Sequence, residues 1–297
     1  MFEYLPPQIA PWGVEVIIYF FLIGTAGMVF TAAAAPNVFG SVAAPFKNFQ
    51  ITGSIIALVI LAICIPLLIA DLGQPSRFLN PIIYFRWTSP ISWGTLFLPL
   101  FGLAIIGFLY GLFTGHATIQ RVGAILGTLL ALSMPLYTGL DLMVNQAREL
   151  WANPSIPVLF VILSITSGAA LVALAQLVVG KFSADSARLI QFILAFSIGV
   201  TFWLFLGLVM TLIYGSEELQ QAWAVINQDY AVEFWGLSFV IGVLIPLVLV
   251  FGPMLLPSMR FAASPVMVTI AGVLGAIGAY SFREVLVYAG QMPQLFY

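Results

Sequence analysis

Few side chains in this sequence can move a proton or hold a polar ring, and they recur at helical spacing. Trp12, Glu15 and Tyr19 stand three and four residues apart, which places them on one face of a helix. Tyr137, Asp141, Asn145 and Arg148 repeat the pattern. A polar stripe turned toward lipid forfeits burial, so both stripes are expected to face the protein interior. There a phenol, carboxylates and an arginine could line a pocket for a polar head group. Glu15, Asp71, Asp141, Glu233, Arg283 and Glu284 all lie within about two turns of one end of their apolar runs. An arginine as deep as Arg283 calls for a carboxylate partner, with Glu15, Asp141 and Glu233 as candidates. Tyr280 and Glu284 share a face that Arg283 does not. Tyr4, Trp87 and Tyr288 read as interfacial belt residues, the commoner role of a lone aromatic at a membrane surface.

The connector from Asp71 to Asn80 reads as a helix stop, with Gly73 as a left-handed cap and Pro75 preventing continuation. Arg77 then either caps the negative end of the preceding helix or holds a guanidinium over a pocket mouth.

Metal and thiol chemistry is poorly supplied. Cys64 is the single cysteine, so no internal disulfide, zinc CxxC site or four-thiolate iron–sulfur cluster is expected. Cys64 itself reads as a small core residue. His116 is the single histidine and sits in a Thr-Gly-His-Ala connector, which disfavours a haem held between two imidazoles.

The elements that must position these groups are membrane helices. Hydrophobic residues make up 62% of the 297 positions and charged residues 7%, with a mean hydropathy of +1.12, far from the roughly one-quarter charged content of soluble domains. A net charge of −2 without basic runs excludes nucleic acid as a partner. The first residues, Met1 to Pro7, lack the basic region and cleavage site of a signal peptide, so the first helix is expected to be retained.

Runs of about 20 apolar residues suit a hydrocarbon layer about 30 Å thick. They predict eight spans: Val14 to Ala35, Ile51 to Ala70, Ile91 to Thr114, Arg121 to Asn145, Ile156 to Gly180, Ala187 to Tyr214, Ala231 to Leu256 and Pro265 to Ala289. The fold class expected is an all-α integral membrane protein, a single transmembrane domain over 1–297. Lys47, Arg121, Lys181, Arg188 and Arg260 fall on one side, and Arg77, Arg86 and Arg148 on the other with Arg283. The basic side is therefore expected to be cytoplasmic and both termini outside, on the face carrying Glu3, Asp71, Glu149, Glu217, Glu218 and Asp229.

Gly123 with Gly127, Gly107 with Gly111 and Gly275 with Ala279 are spaced for close helix packing. Pro66, Pro99, Pro135, Pro246 and Pro253 fall inside spans, mostly as packing devices. A faint parallel repeat aligns Tyr19–Gly27 with Phe160–Gly168 and Ser92–Gly94 with Phe234–Gly236, at shifts of 141 and 142 positions. It divides the chain into two four-helix bundles, a first half over 14–145 and a second over 156–289.

Taken in order, these motifs resemble the NrfD-like family, the membrane subunits of polysulfide-reductase-type respiratory complexes. The residues that carry the resemblance are Trp12-Gly13 with Glu15, Tyr19 and Gly24 to Gly27; Asp71 to Phe78; Thr88 to Gly94; Tyr137-Thr138-Gly139; Trp151 with Pro154, and Ser167-Gly168; Phe234-Trp235; and Arg283 with Gly290-Gln291. Each is weak alone, but together they run in the family's order over nearly the whole chain. The resemblance implies a quinone-binding anchor, taking menaquinone or ubiquinone, that docks on an iron–sulfur ferredoxin-like subunit serving a molybdopterin catalytic subunit. It implies a pocket near the outer surface lined from spans one to four. Tyr137 would hydrogen-bond a quinone carbonyl, with Tyr19, Asp71, Arg77, Trp93 and Thr138 also in the binding set.

Asp141 stands where relatives are expected to carry an apolar residue, either as a proton route or as a local partner for Arg148. Quinone reduction takes up two electrons and two protons, so Glu15, Asp141 and Glu233 are expected to relay protons. Two other classes remain open. A secondary transporter or channel also gathers polar groups among helices, although such sites commonly lie at mid-membrane. A purely structural anchor would use its charges only to grip a partner.

Overall fold

The computed structural model describes residues 12–72 and 74–291. The expected Gly73 cap and the readings of Met1 to Pro7, Glu3 and Tyr4 lie outside the described residues. Lipid offers the backbone no hydrogen-bonding partners, so long apolar runs satisfy their own N–H and C=O groups as helices. No β-strand occurs among the described residues, and seven continuous segments are long and apolar enough to cross a membrane.

The first segment is 58 residues long. It comprises α1 (Val14–Phe39), a tight 3-10 connector (Gly40–Phe49) and α2 (Gln50–Asp71). Gly40, at φ 63° and ψ −130°, ends α1 in a positive-φ conformation that favours glycine. The connector is pinned on both sides. Gln50 Nε2 donates to Asn37 Oδ1, and Ser186 Oγ donates to the Pro45 carbonyl at 3.0 Å.

A 3-10 turn (Pro75–Arg77) and the short α3 (Asn80–Ile83) lead to α4 (Pro90–Thr114), which starts on a proline at its first position. Gly115, at φ 72°, stops α4 before α5 (Ala117–Met143). Then follow α6 (Ser155–Val178), α7 (Ala184–Tyr214) and α8 (Glu217–Asp229). A π-helical stretch (Val232–Leu244) continues as α9 (Ile245–Leu255), and α10 (Pro265–Gln291) closes the order.

The expected spans coincide with these helices to within a few residues, with two exceptions. Helix α5 ends at Met143, so Asn145 and Arg148 leave the helical stripe assigned to them. Asn145 Nδ2 instead donates to the Asp141 and Leu142 carbonyls, at 2.7 and 3.3 Å, and so caps the helix end. The span expected from Ala231 is π-helical over its first half, marked by the Ile245 N–H donating to the Val240 carbonyl five residues back.

The polarity of the fold is that of a membrane protein. Large apolar side chains such as Leu103, Phe113, Leu129, Phe196 and Trp203 are exposed, while Ser54, Thr138, Ser164, Ser197 and Arg283 are buried. Cys64 is buried in the core.

Helix α1 packs against α2, α5 and α6, and α10 packs against α6 and the π-helical stretch. Close approach depends on small residues. A Cβ on Gly27 would lie 2.6 Å from the Ala131 carbonyl oxygen, and one on Gly123 2.7 Å from the Phe108 nitrogen. The backbones of Gly242 and Gly278 touch where the π-helical stretch crosses α10. Gly107 corrects the expected packing pairs, because nothing lies within 4 Å of the space its side chain would fill.

Candidate functional site

The loop after α3 folds over the start of α4 through its aromatic residues. Trp93 Nε1 donates to the Trp87 carbonyl at 2.9 Å, and the Phe85 ring stands 5.3 Å from Trp87 and 5.0 Å from Trp93. Phe97 follows one turn along, its ring 5.4 Å from that of Trp93. The rings of Trp87, Trp93 and Phe97 face α5 across an open cavity of about 310 Å³, lined also by Ser133, Leu136 and Tyr137 among others. The lining is almost wholly apolar. Tyr137 contributes to the wall: its side chain is buried, and its Oη, shielded behind that wall, has no hydrogen-bond partner within the chain. Buried hydroxyls are normally satisfied, so an orphan at a cavity wall calls for an explanation. Gly94 lets α4 approach that closely, because a Cβ there would fall 2.6 Å from Tyr137 Cδ2.

Of the residues expected at the site, Trp93 and Tyr137 line this cavity. Asp141 lies one turn beyond Tyr137, half-buried and close enough to interact with its phenol electrostatically. Thr138 is buried, but its Oγ1 donates to the Pro135 carbonyl at 2.9 Å. Its hydroxyl is thus already engaged.

Glu15 and Asp71 form a second group. They interact electrostatically across the ends of α1 and α2, with Glu15 exposed and Asp71 half-buried. Arg77 is exposed on its 3-10 turn. Tyr19 is buried, with an Oη that also lacks a partner. Glu233 belongs to a third group with Glu284 and Tyr230, and Tyr288 is influenced by both Glu284 and Glu15. The Tyr230 phenol, outside the spanning segments, is pushed above its ordinary pKa by burial first and then by Asp229.

Two expectations need correction. Trp12, Glu15 and Tyr19 do not form one inward stripe: Trp12 precedes α1 and stacks on Trp151 at 5.2 Å, Glu15 is exposed, and only Tyr19 is fully buried. Arg283 does not rest on a carboxylate. Its Nη1 donates to the Ala279 carbonyl at 2.8 Å, while Nη2 donates to the Phe160 carbonyl at 3.1 Å and to Ser164 Oγ at 2.8 Å. Its guanidinium lies 5.0 Å from the Phe160 ring centre. The counter-charge is thus replaced by carbonyl dipoles, a hydroxyl and a π face.

Gln291 enters the sequence reading only as a motif residue, yet it ties the two ends of the described fold together. Its side chain accepts from the Trp12 N–H at 2.7 Å and donates to the Trp12 carbonyl at 3.2 Å. Its own carbonyl accepts from Arg148 Nη1 at 3.0 Å. Trp87 lines the cavity, a role its reading as a belt residue does not include. Its position three residues before Pro90, in an aromatic-dense loop, is the available signal.

Charge divides sharply between the two ends of the bundle. Among the described residues every carboxylate but Asp185 belongs to the end that carries the aromatic cavity, together with Arg77, Arg86, Arg148 and Arg283, whereas Lys47, Arg121, Lys181 and Arg188 give the other end its net positive charge. No group of three or more metal-ligating side chains occurs among the described residues. The fold and site thus define a multi-pass helical membrane protein with an aromatic cavity beneath its acidic end.

Comparison with known proteins places it further. The family model described as "Polysulphide reductase, NrfD" matches residues 6–293, and the chain belongs to that family. It is 25% identical to a protein NrfD homolog of Haemophilus influenzae, over 95% of this chain and 94% of that one. It is 32% identical to a tetrathionate reductase subunit of Salmonella typhimurium over 50% of this chain, and 25% identical to a polysulfide reductase subunit of Wolinella succinogenes over 53%. Those matches cover 43% and 55% of the relatives' own lengths.

Proposed function

We propose that this chain is the membrane anchor and quinone-reactive subunit of a respiratory reductase, exchanging electrons between the membrane quinone pool and an iron–sulfur partner that serves a molybdopterin catalytic subunit. The observation that carries the reading is Tyr137, which lines an aromatic cavity of about 310 Å³ and whose phenol, buried beside it, has no partner within the chain; the volume is within the usual range for small-molecule sites. A quinone fits this lining: flat and apolar with carbonyl acceptors, it matches ring faces and a lone donor. When bound, it supplies the two-electron, two-proton redox couple.

The chain's own residues hold and protonate. Trp93 and Trp87 offer ring faces, and Tyr137 Oη donates to a carbonyl oxygen. Asp141, one turn away, stands where it can return a proton to that region, with Glu15 and Asp71 nearer the surface and Glu233 in the neighbouring group. Thr138 and Tyr19 support α5 and α1, and Arg77 lies exposed on the acidic side.

Eight crossings follow if the 58-residue first segment counts as two, since 58 residues far exceed the about 20 that one crossing needs. The packing supports two halves: α1 with α2 and α5, and α4 with α5 and α2, correspond to α6 with α7 and α10, and α9 with α10 and α7. The basic end supports a cytoplasmic placement in the inner membrane, which puts the cavity on the outer side.

The test is to replace Glu15 and Asp141 by their amides in the assembled complex and measure quinone turnover. Slower turnover with the complex intact supports the relay, and unchanged turnover removes it. Failure of the chain to co-purify with an iron–sulfur subunit would remove the anchor role.

A further inference from the structure

A second cavity, of about 290 Å³, opens at the opposite end of the bundle between α1, the 3-10 connector, α6 and α7. Its walls come from Met28, Ala35, Phe46, Ala169, Val172 and Ile190, among others, and are apolar almost throughout. The groove follows α1 from Met28 to Phe39, roughly 16 Å at 1.5 Å per residue. That is about half of a 30 Å hydrocarbon layer, the depth one acyl chain occupies in one leaflet.

Positive charge predominates around the mouth. Lys47 directly follows the lining residue Phe46, and Arg188 directly precedes the lining residue Leu189. Both are exposed. The hydrogen bond from Ser186 Oγ to the Pro45 carbonyl holds the connector against the start of α7, so the segments that carry these two cations lie side by side. Lys181, also exposed, stands on the same end, and Asp185 is the single carboxylate there among the described residues. A basic rim above an apolar slot is complementary to an anionic head group above a hydrocarbon chain.

We propose that this groove is a binding site for an anionic diacyl phospholipid, one chain lying along α1 and the phosphate held by Lys47 and Arg188. The site is separate from the aromatic cavity, so it stands or falls independently of the quinone reading. A bound lipid would bridge the connector to α7 and cover the exposed lining side chains of Phe39 and Val42.

The test uses the full chain reconstituted in phosphatidylcholine vesicles carrying trace spin-labelled phosphatidylglycerol or spin-labelled phosphatidylcholine, with the motionally restricted fraction read by electron spin resonance. The expected result is a several-fold preference for phosphatidylglycerol. It should fall toward parity in the double variant Lys47→Gln/Arg188→Gln, and the restricted fraction should drop in Ala169→Phe, which fills the slot. Native mass spectrometry of the purified wild-type chain should show a retained anionic phospholipid. Equal restriction of the two labels by the wild type, an undiminished preference in the double variant, or a retained neutral isoprenoid in place of a phospholipid would each overturn the proposal. Should Ala169→Phe fail to fold, the double variant at the exposed rim decides alone.

Discussion

Replacing Tyr137 by Phe removes one buried oxygen beside the cavity and leaves the ring that packs on Gly94. If Oη donates to a quinone carbonyl, the loss is that of one neutral hydrogen bond, about 0.5–1.5 kcal/mol, or roughly a 2- to 12-fold weaker affinity. The same structure fixes the sign of the effect on stability. Oη has no partner within the chain, and an unsatisfied buried hydroxyl costs about 1–3 kcal/mol. Tyr137→Phe should therefore melt at the same temperature as the wild type or higher. A tyrosine with a purely structural role would show the reverse, unchanged affinity with lowered stability. Quenching of tryptophan fluorescence by a short-chain quinone reads the affinity directly, because Trp87 and Trp93 line the same cavity. Unchanged quenching, or a lower melting temperature, would refute the reasoning.

Gly94→Ala should weaken quinone binding more than Tyr137→Phe does and also lower the melting temperature. Its Cβ would fall 2.6 Å from Tyr137 Cδ2, and overpacking typically costs about 1–3 kcal/mol; titration of the same quench beside a thermal melt checks both. Arg283→Met should destabilise the chain by about 1–3 kcal/mol, since it strips the Phe160 carbonyl and Ser164 of a donor. Arg283→Lys should fail to restore the wild-type melting temperature, because one ammonium lacks the fork that reaches both α6 and α10. Gly278→Ala should lower the melting temperature, because its Cβ meets the Gly242 backbone, whereas Gly207→Ala, with open space around it, should leave the temperature unchanged.

The membrane architecture was legible because lipid imposes one rule on every spanning segment, and the apolar runs from Val14, Ile51, Ile91, Ile156 and Pro265 obey it. Trp93 and Tyr137 were legible through their motifs, and they meet at one cavity. Features that depend on which face meets which neighbour were not. The carboxylate expected for Arg283 proved to be a carbonyl of α10 and a carbonyl and a hydroxyl of α6, because a guanidinium with five donors can be satisfied by dipoles that composition does not reveal. The polar stripe through Arg148 failed because α5 ends at Met143, where Asn145 caps the helix and the chain turns away. The π-helical stretch carries no marker in an apolar run; it coincides with the Gly242–Gly278 crossing and with Ser238 Oγ donating to the Glu233 carbonyl, contacts that depend on the tertiary fold. The amphipathic α8 is hard to see in the sequence because its buried positions, Ala222 and Ile226, are few.

The site assignment is tested most directly by photolabelling. A photoreactive quinone analogue, irradiated with the chain in membranes and mapped by peptide mass spectrometry, should mark residues within 87–97 and 133–144. Labelling confined to the second half of the chain, or to the groove along Met28 to Phe39, would contradict a quinone site at Tyr137.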